Sequence, residues 1–327
     1  MAVSLDLLDR KLLGELDGNS RTPLSVLARR LGTSKGTVLY RINRLKQEGV
    51  ILGFYPVLDM GRIGYLLFRV FFRLKGINRQ SESELIAYLK EKPEMMWVIS
   101  VDGKYDLGLA CITMTVHEMD DIWGAFMKRF GNYVEDVRFA IQTKVEQYDR
   151  VYLYDGAKNE NSAAFYSCSG TETVSELDSA ILRTLSRDAR IPTTEVARNV
   201  GADVKTVMAR IKKLEQKNII TGYKTNFDLG VLGYAYFKIE LKLHNTNPTA
   251  LLALRQYVKE HPNIIYNDYA LGGEDVELEV QVKSVEDLRD LVNDIRDKFS
   301  AIIQDTSTMH FYKEHKLSFT LWESHTN

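Results

Sequence analysis

The amino-acid sequence repeats itself once, at an offset of 169 positions. Residues 8–65 and 177–234 share 21 identities in 58 aligned positions, and the alignment needs no gap. The same register persists further along the chain, where it pairs Pro93 with Pro262. A repeat of about 145 residues is long enough to enclose a hydrophobic core of its own. The sequence therefore predicts two tandem copies of one compact unit.

The composition is typical of a soluble globular protein, with 45% hydrophobic and 27% charged residues. No apolar run approaches the roughly 18 residues that a membrane-spanning helix needs. The first residues lack the basic-then-apolar order of a secretion signal. The two cysteines, Cys111 and Cys168, lack the spacing of metal ligands, and so low a count suits a reducing compartment. We therefore expect a cytoplasmic protein without a metal site.

Positive charge is concentrated in two segments, although the formal net charge of the whole chain is −1. Residues 5–54 carry 9 Lys and Arg against 5 Asp and Glu, and residues 174–223 carry 9 against 6. The two segments occupy equivalent positions in the repeat. What matters for nucleic-acid binding is where the positive charge lies, so this distribution is compatible with DNA as a partner.

Each copy begins with the hydrophobic period of three short helices. In the first copy, Gly32 ends the second helix and Ser34 offers an N-cap to the third. A tight turn before the third of three short helices predicts a helix-turn-helix. Residues 50–51 and 54–58 then favour the two strands of a wing.

After the wing the period changes to that of alternating strands and helices, beginning with an aromatic and branched strand at 65–75. The predicted order is βαββαβ, which is the ferredoxin-like arrangement, and the second copy repeats it. The predicted fold class is therefore α+β. The domains are winged helix-turn-helix domains at 1–60 and 174–229, βαββαβ domains at 61–154 and 230–327, and a linker at 155–173.

The third helix of each copy is the candidate for insertion into the major groove of DNA. Short polar side chains near its N-terminal end approach base edges, while arginine and lysine neutralise phosphates. A basic amphipathic helix is also typical of an ordinary solvated surface, so the turn, the wing and the repeat are what favour DNA. The predicted DNA-binding residues are Arg21, Ser34, Lys35, Thr37, Tyr40, Arg41 and Arg44 in the first copy, and Arg190, Asp203, Lys205, Thr206, Arg210 and Lys213 in the second.

The two predicted reading helices differ in sequence. Asp203 replaces Ser34, and Ala209 replaces Tyr40. An acid at the groove-facing end repels phosphate but accepts a hydrogen bond from cytosine N4. We therefore expect the second helix to prefer another sequence or to bind more weakly, and the chain to recognise an asymmetric site.

These residues resemble the Lrp/AsnC family, also called the feast/famine regulatory proteins. The resemblance covers nearly the whole chain twice and implies a winged helix joined to a βαββαβ domain that dimerises and often binds an amino acid. The usual member is a single unit, whereas this chain carries two. In the first copy the motif comprises Leu8, Asp9, Leu12, Leu13, Arg21, Leu27, Ala28, Leu31, Gly32, Ser34, Val38, Arg41, Ile42, Leu45, Gly49, Val50, Ile51, Gly53 and Phe54.

The resemblance also implies an effector loop between the second and third strands of each βαββαβ domain. Glycine lets backbone amides approach a ligand carboxylate, and aspartate holds an ammonium group. Glycine and aspartate are equally what any tight turn selects, so both interpretations stay open. The predicted effector-binding residues are Gly103, Tyr105 and Asp106, and in the second copy Gly272, Gly273 and Asp275.

Two other functions compete with a regulator. Some siroheme decarboxylases resemble the same two-domain unit and occur as fused or paired copies. Such an enzyme needs basic and histidine residues around a tetrapyrrole, but the 6 histidines are scattered and none has an equivalent in the other copy. We therefore expect no enzymatic activity, no catalytic residues and no cofactor. The third possibility is an architectural or ligand-storage protein that binds DNA with little sequence preference.

The expected partners are double-stranded DNA and an amino-acid effector. Apolar positions on both faces of the strand at 65–75 predict that the two βαββαβ domains pack sheet to sheet as an intramolecular pseudo-dimer. We also expect the chain to form a homo-oligomer.

Overall fold

A computed structural model of the chain describes residues 3–154, 162–167, 170 and 172–318. Each copy begins with three helices, as the sequence predicts. They are α1 (Leu7–Gly18), α2 (Leu24–Arg30) and α3 (Lys35–Gln47) in the first copy, and α6 (Glu176–Arg187), α7 (Thr193–Val200) and α8 (Val204–Gln216) in the second.

The third helix of each triad begins at a capping side chain. Ser34 Oγ accepts a hydrogen bond from the amide of Thr37 at 3.0 Å, and the Asp203 carboxylate accepts one from the amide of Thr206 at 2.9 Å. These bonds satisfy an amide that the first turn of a helix leaves without a partner. The buried stripe consists of Val38, Ile42 and Leu45 in α3 and of Val207, Ile211 and Leu214 in α8.

The wings differ from the sequence-based prediction. Each copy contributes one strand rather than two, β1 (Ile51–Leu58) and β7 (Ile220–Phe227). The two strands pair with each other in antiparallel orientation, with Phe54 opposite Thr225. A hairpin within one copy would need a tight turn near residue 53, but the chain stays extended there because the other copy supplies the pairing edge. The wings therefore join the two helix-turn-helix domains.

The βαββαβ order is confirmed in both copies. The first comprises β2 (Leu66–Leu74), α4 (Arg79–Glu91), β3 (Met95–Asp102), β4 (Leu107–Thr113), α5 (Val116–Phe130) and β5 (Val134–Tyr148). The second comprises β8 (Ala235–Leu243), α9 (Pro248–Glu260), β9 (Ile264–Leu271), β10 (Val276–Val282), α10 (Val285–Phe299) and β11 (Ile303–Leu317).

The strands of the two domains close into one barrel. Their order is β2-β4-β3-β11-β8-β10-β9-β5, and β5 also pairs with β2, so the ring has no free edge. The long last strand of each copy joins the two domains, because β5 pairs with β9 and β11 pairs with β3. The expected pseudo-dimer is thus present, but its sheets are joined edge to edge as well as facing each other.

Alternate residues of β2 show what each side of the barrel wall contacts. Phe68, Val70 and Phe72 belong to the core cluster formed with the helices α4 and α5. Arg69 and Phe71, with the opposite parity, point to the barrel interior. This alternation explains why both faces of the strand are apolar, apart from one buried arginine.

Part of the segment between the copies forms a strand, β6 (Ser162–Ser167), which pairs with β5. Tyr166 is buried, and its hydroxyl donates to the carbonyl of Tyr65 at 3.0 Å. The predicted linker at 155–173 is therefore corrected over these residues, because an aromatic side chain docks on the first domain. Cys168 lies outside the described residues, whereas Cys111 is a buried free thiol.

Candidate nucleic-acid interface and barrel cavity

The outward face of α3 retains part of the predicted DNA-binding set. Ser34, Lys35 and Tyr40 are exposed, with 66% of the Tyr40 surface accessible, and Thr37 is half-buried. Asn43 and Lys46, which were not among the predicted residues, are exposed on the same helix. This face presents two lysines, an amide and an aromatic ring to solvent.

Arg41 and Arg44 are held against the helix-turn-helix itself. Arg41 forms ion pairs with Asp6 at 2.7 Å and with Asp9 at 2.6 Å, and Arg44 also pairs with Asp9. Asp9 is 1% exposed, so its charge is balanced by these two guanidinium groups. The second copy retains the pair as Arg210 with Asp178 at 3.4 Å. These arginines therefore fasten the third helix to the first, which leaves less of their charge available to DNA.

Arg21 and Arg190 link the two copies. Arg21 donates to Thr193 Oγ1 at 3.2 Å and to the carbonyl of Ala189, while Arg190 donates to the carbonyl of Thr22 at 3.1 Å. Burial, together with the nearby positive charge of Arg21, lowers the pKa of Arg190. We correct their assignment: these guanidinium groups are used between the helix-turn-helix domains rather than at a free surface.

The outward face of α8 is basic, although the helix begins at an acidic capping residue, Asp203. Lys205, Lys212 and Lys213 are exposed, and Thr206 is half-buried. The hydroxyl and amide of Thr206 both bond to Asp203, and these bonds lower the pKa of its carboxyl. Asp203 therefore stays negatively charged at the tip of the helix.

The predicted effector loops have structural contacts in both copies. Asp106 accepts a hydrogen bond from the amide of Leu74 at 2.7 Å, and Asp275 accepts one from the amide of Leu243 at 2.7 Å. Each aspartate thus ties its turn to the end of the first strand of its own domain. Tyr105 is buried against Phe71, with ring centroids 6.0 Å apart.

The loop glycines lie where backbone from the other copy comes close. Gly103 has φ +142°, and a Cβ there would lie 3.2 Å from the carbonyl oxygen of Thr308. Gly272 has φ +87°, and a Cβ would lie 2.6 Å from that of Phe139, while Gly273 packs beside Glu277. Turn geometry and this approach account for both positions. Effector binding at these loops stays a prediction.

A cavity of about 580 Å³ lies where the barrel meets the paired wings. Its walls include Arg69 and Trp97 from the first copy and Tyr236 and Glu279 from the second. Residues 226–230, which end β7 and follow it, also line it, so the cavity touches the DNA-binding half of the molecule. Sequence reasoning missed this site, because its residues come from several strands that the repeat pattern does not bring together.

Buried ion pairs between charged side chains lie in the barrel interior beside the cavity. Arg69 donates to Glu279 at 2.9 Å and to Asp268 at 3.1 Å. Lys238 pairs with Asp268 at 3.2 Å and with Glu277 at 2.6 Å, which holds the pKa of Glu277 at about 2 despite its burial. Such pairs persist in a low-dielectric interior only when they are closely matched.

The histidines are dispersed in the structure as in the sequence. His310 stacks on Phe237, His315 Nε2 lies 2.8 Å from Ser100 Oγ, and burial lowers the pKa of His261 to about 4. In the part of the chain that is described, no three His, Cys, Asp or Glu side chains come together as metal ligands. Nor does any described helix have the length and apolar character needed to span a membrane.

Comparison with known proteins identifies the repeated unit. A winged helix-turn-helix DNA-binding family matches residues 5–51 and again residues 174–221. The proline dehydrogenase transcriptional activator of Rhodobacter capsulatus is 31% identical over 144 residues, which cover 90% of that protein and 43% of this chain. The regulator LrpA of Pyrococcus horikoshii is 31% identical over 120 residues, covering 84% of that protein and 37% of this chain.

The chain belongs to the Lrp/AsnC family. Each relative matches a length equivalent to one unit, so this member of the family carries two units in one polypeptide. The starts of the two matched helix-turn-helix segments, residues 5 and 174, are separated by the offset of the internal repeat.

The duplicated architecture of this Lrp/AsnC protein occurs in a solved structure. The siroheme decarboxylase NirDL aligns with a TM-score of 0.62 over 96% of this chain and 94% of that one, at 15% identity. Our expectation of no enzymatic activity, which rested on the scattered histidines, is therefore corrected, because an enzyme shares the tandem fold. At this identity the likeness shows the fold alone.

Proposed function

We propose that this chain is a sequence-specific DNA-binding transcriptional regulator that contacts duplex DNA through α3 and α8. One observation carries the proposal: two winged helices are joined through their wings, and each presents an exposed third helix with unpaired lysines. Among the described residues, Lys35 and Lys205 form no ion pair, so both are available to phosphates. The names of the relatives support the same function.

The pairing of the wings determines how the two helices meet DNA. Antiparallel strands of equivalent sequence are related by an approximate twofold axis, so the two helix-turn-helix domains face inverted half-sites. The half-sites differ in base sequence, because Tyr40 and Asn43 on α3 correspond to Ala209 and Lys212 on α8. We expect their centres to lie about one helical turn, or a multiple of it, apart.

The regulator acts in the cytoplasm in this proposal and responds to a small effector that changes the relative placement of the two helices. Further assembly into a homo-oligomer is also part of it, and light scattering of the purified chain measures it directly. A monomer at all concentrations would contradict that part without affecting DNA binding.

The test is selection of bound fragments from genomic DNA, followed by footprinting of the selected sites. The expected result is two unequal protected patches in helical phase. The variants Lys35→Ala and Lys205→Ala should weaken the patch of their own half-site, while Lys128→Ala, at an exposed lysine on α5, serves as the matched control. Equal loss in both patches, or no phasing, would contradict the geometry. Binding with little preference among sequences and a weak dependence on salt would favour the architectural function instead.

A second candidate function is catalysis in the barrel cavity. The observation in its favour is the cavity itself, which holds two arginines, three acids and His310 behind the barrel wall. Titration of the full chain with an iron porphyrin tests it. A change in the porphyrin absorption spectrum that depends on Arg69 would favour the enzyme, and an unchanged spectrum in a protein that retards DNA would favour the regulator.

A further inference from the structure

The two copies contribute unequally to the cavity between barrel and wings. Leu67 in the first copy corresponds to Tyr236 in the second, and Ala110 corresponds to Glu279. Val145 likewise corresponds to Glu314. At these positions the second copy offers a hydroxyl or a carboxylate where the first offers a hydrocarbon. A dimer of identical chains has a symmetric interface, whereas the two copies line this cavity with different side chains. That asymmetry suits a single ligand bound in one orientation.

The basic groups of the cavity wall already have partners. Arg69 pairs with Glu279 at 2.9 Å and with Asp268 at 3.1 Å, and Arg150 pairs with Asp17 at 2.9 Å. One donor of Arg69 has no acceptor in the described part of the chain. Its Nε is buried and has no hydrogen-bond partner among the described residues, and the whole side chain is only 10% exposed. A buried donor without an acceptor is costly, so it is a position where a ligand oxygen is favoured.

Two acids of the wall lack a basic partner. Glu314 accepts a hydrogen bond from Trp97 Nε1 at 2.9 Å, and Asp228 accepts one from the amide of Gly230 at 3.0 Å. Within the described part of the chain, neither carboxylate forms an ion pair. Both side chains also keep an exposed part. Partial loss of water and the nearby carboxylates of Glu279 and Asp228 raise the pKa of Glu314, so acids gather at this side of the cavity.

Aromatic rings form much of the remaining wall. Trp97 and Phe311 meet edge to face with centroids 5.2 Å apart, and Tyr236 packs on Phe311 at 5.1 Å. Phe227 and Tyr266 complete the lining near them. Ring faces attract cations, most strongly where water is excluded, and they also bury apolar groups.

We propose that this cavity binds one organic amine with an aromatic or apolar body and an oxygen acceptor. Its ammonium group lies against Glu314 and Asp228, its body lies among the rings, and its oxygen accepts from Arg69 Nε. An anionic ligand is disfavoured, because it would meet two carboxylates that no basic group balances.

The position of the cavity gives such a ligand a route to the DNA-binding domains. Asp228 directly follows β7, and its amide donates to the carbonyl of Val50, at the start of the other wing, at 3.1 Å. Glu314 lies on β11 of the barrel. A cation held by both acids joins the wings to the barrel and favours one placement of the two helices. This regulatory step, unlike the binding itself, rests on the proposed DNA-binding function.

The test uses the full chain without DNA, three probes of nearly the same shape that differ in one terminal group, and a fourth that lacks the phenol. Tyramine carries an ammonium group, tyrosol carries a neutral hydroxyl, and 3-(4-hydroxyphenyl)propionate carries a carboxylate. Calorimetry and thermal unfolding should show saturable binding of tyramine and at least tenfold weaker binding of the other two. Phenethylamine, which lacks the phenol oxygen that Arg69 would meet, should bind less tightly than tyramine.

The variants Glu314→Gln and Asp228→Asn should each weaken tyramine binding about threefold, consistent with loss of one solvent-exposed charge pair. Glu286→Gln, at an exposed acid on α10, is the matched control. If Glu314→Gln does not fold, Asp228→Asn alone decides.

Equal binding of all three probes, or no binding of tyramine up to about 10 mM, overturns the proposal. Tyramine binding that leaves DNA affinity unchanged overturns only the regulatory step, provided that DNA is bound. Failure of DNA binding with tyramine binding intact contradicts the proposed function and not the ligand site.

Discussion

The guanidinium group of Arg69 donates to the carboxylate of Glu279 at 2.9 Å, and the two residues belong to different copies of the repeat. The first copy has Ala110 at the position of Glu279, and the second has Lys238 at the position of Arg69, so this arginine–glutamate pair joins residues that differ between the copies. The barrel interior is therefore asymmetric, because the two copies supply different residues at equivalent positions.

Removing this carboxylate should destabilise the barrel. In Glu279→Gln the buried Arg69 retains only Asp268, which it shares with Lys238, so a buried positive charge loses part of its compensation. We expect the free energy of unfolding to fall by about 3 kcal/mol. Urea denaturation measures it, with Glu286→Gln as a surface control. A loss no larger than that of the control would mean that this pair adds nothing to stability.

The order of elements was predictable because it depends on local patterns. Helical period, capping residues such as Ser34 and Asp203, and strand alternation are all visible along the chain. The repeat then doubled each signal, so one unit supported the assignment of the other.

The partners of side chains were much harder to predict. Arg21 and Arg190 looked like free basic residues, yet both donate to backbone carbonyls of the opposite copy. Every residue has a backbone carbonyl, so the sequence gives no sign of which one accepts. Arg41 and Asp9 carried a usable signal, since both are identical in the second copy as Arg210 and Asp178. The pairing of one wing strand from each copy was missed, because the two strands lie far apart in sequence.

The exposed lysine and the anchored arginine of α3 should behave differently on substitution. Lys35→Ala should reduce the salt dependence of DNA binding because one phosphate contact is lost. The slope of log Kobs against log salt concentration should become less negative by about 0.9. The stability of this variant should stay within about 0.5 kcal/mol of the unmodified chain. Arg41→Ala should instead lower the free energy of unfolding by about 2 kcal/mol, because buried Asp9 loses a partner.

Salt titrations of DNA binding and urea denaturation of the same variants measure the two effects, with Lys128→Ala as the control for both. A full unit of salt dependence lost in Arg41→Ala without loss of stability would show that Arg41 contacts phosphate after all.

Buried His261 should make stability depend on pH. Burial lowers its pKa from 6.5 to about 4, so between these values the unfolded chain takes up a proton that the folded chain does not. The free energy of unfolding should therefore fall as the pH drops from 6.5 towards 4, by about 3 kcal/mol from this residue alone. His261→Gln should remove that part. Chemical denaturation of both proteins at several pH values in this range measures the contribution of His261 as the difference between their free energies of unfolding. The contributions of the carboxylates are the same in both proteins and cancel in that difference. Parallel stability curves would refute the assignment.

The arginines between the copies should affect stability rather than the salt dependence of DNA binding. Arg21 bonds to Thr193 and Ala189, and Arg190 bonds to Thr22, so each side chain crosses from one helix-turn-helix to the other. Arg21→Ala and Arg190→Ala should each lower the free energy of unfolding by about 2 kcal/mol, because a hydrogen-bonding guanidinium is lost and its carbonyl partners are left bare. The slope of DNA affinity against salt should not change, since neither group reaches a phosphate. Arg198→Ala, at an exposed arginine on α7, controls for loss of a surface charge. If either substitution removed a full unit of salt dependence, the original assignment of these arginines to DNA would be restored, and the paired wings would have to part for DNA to bind.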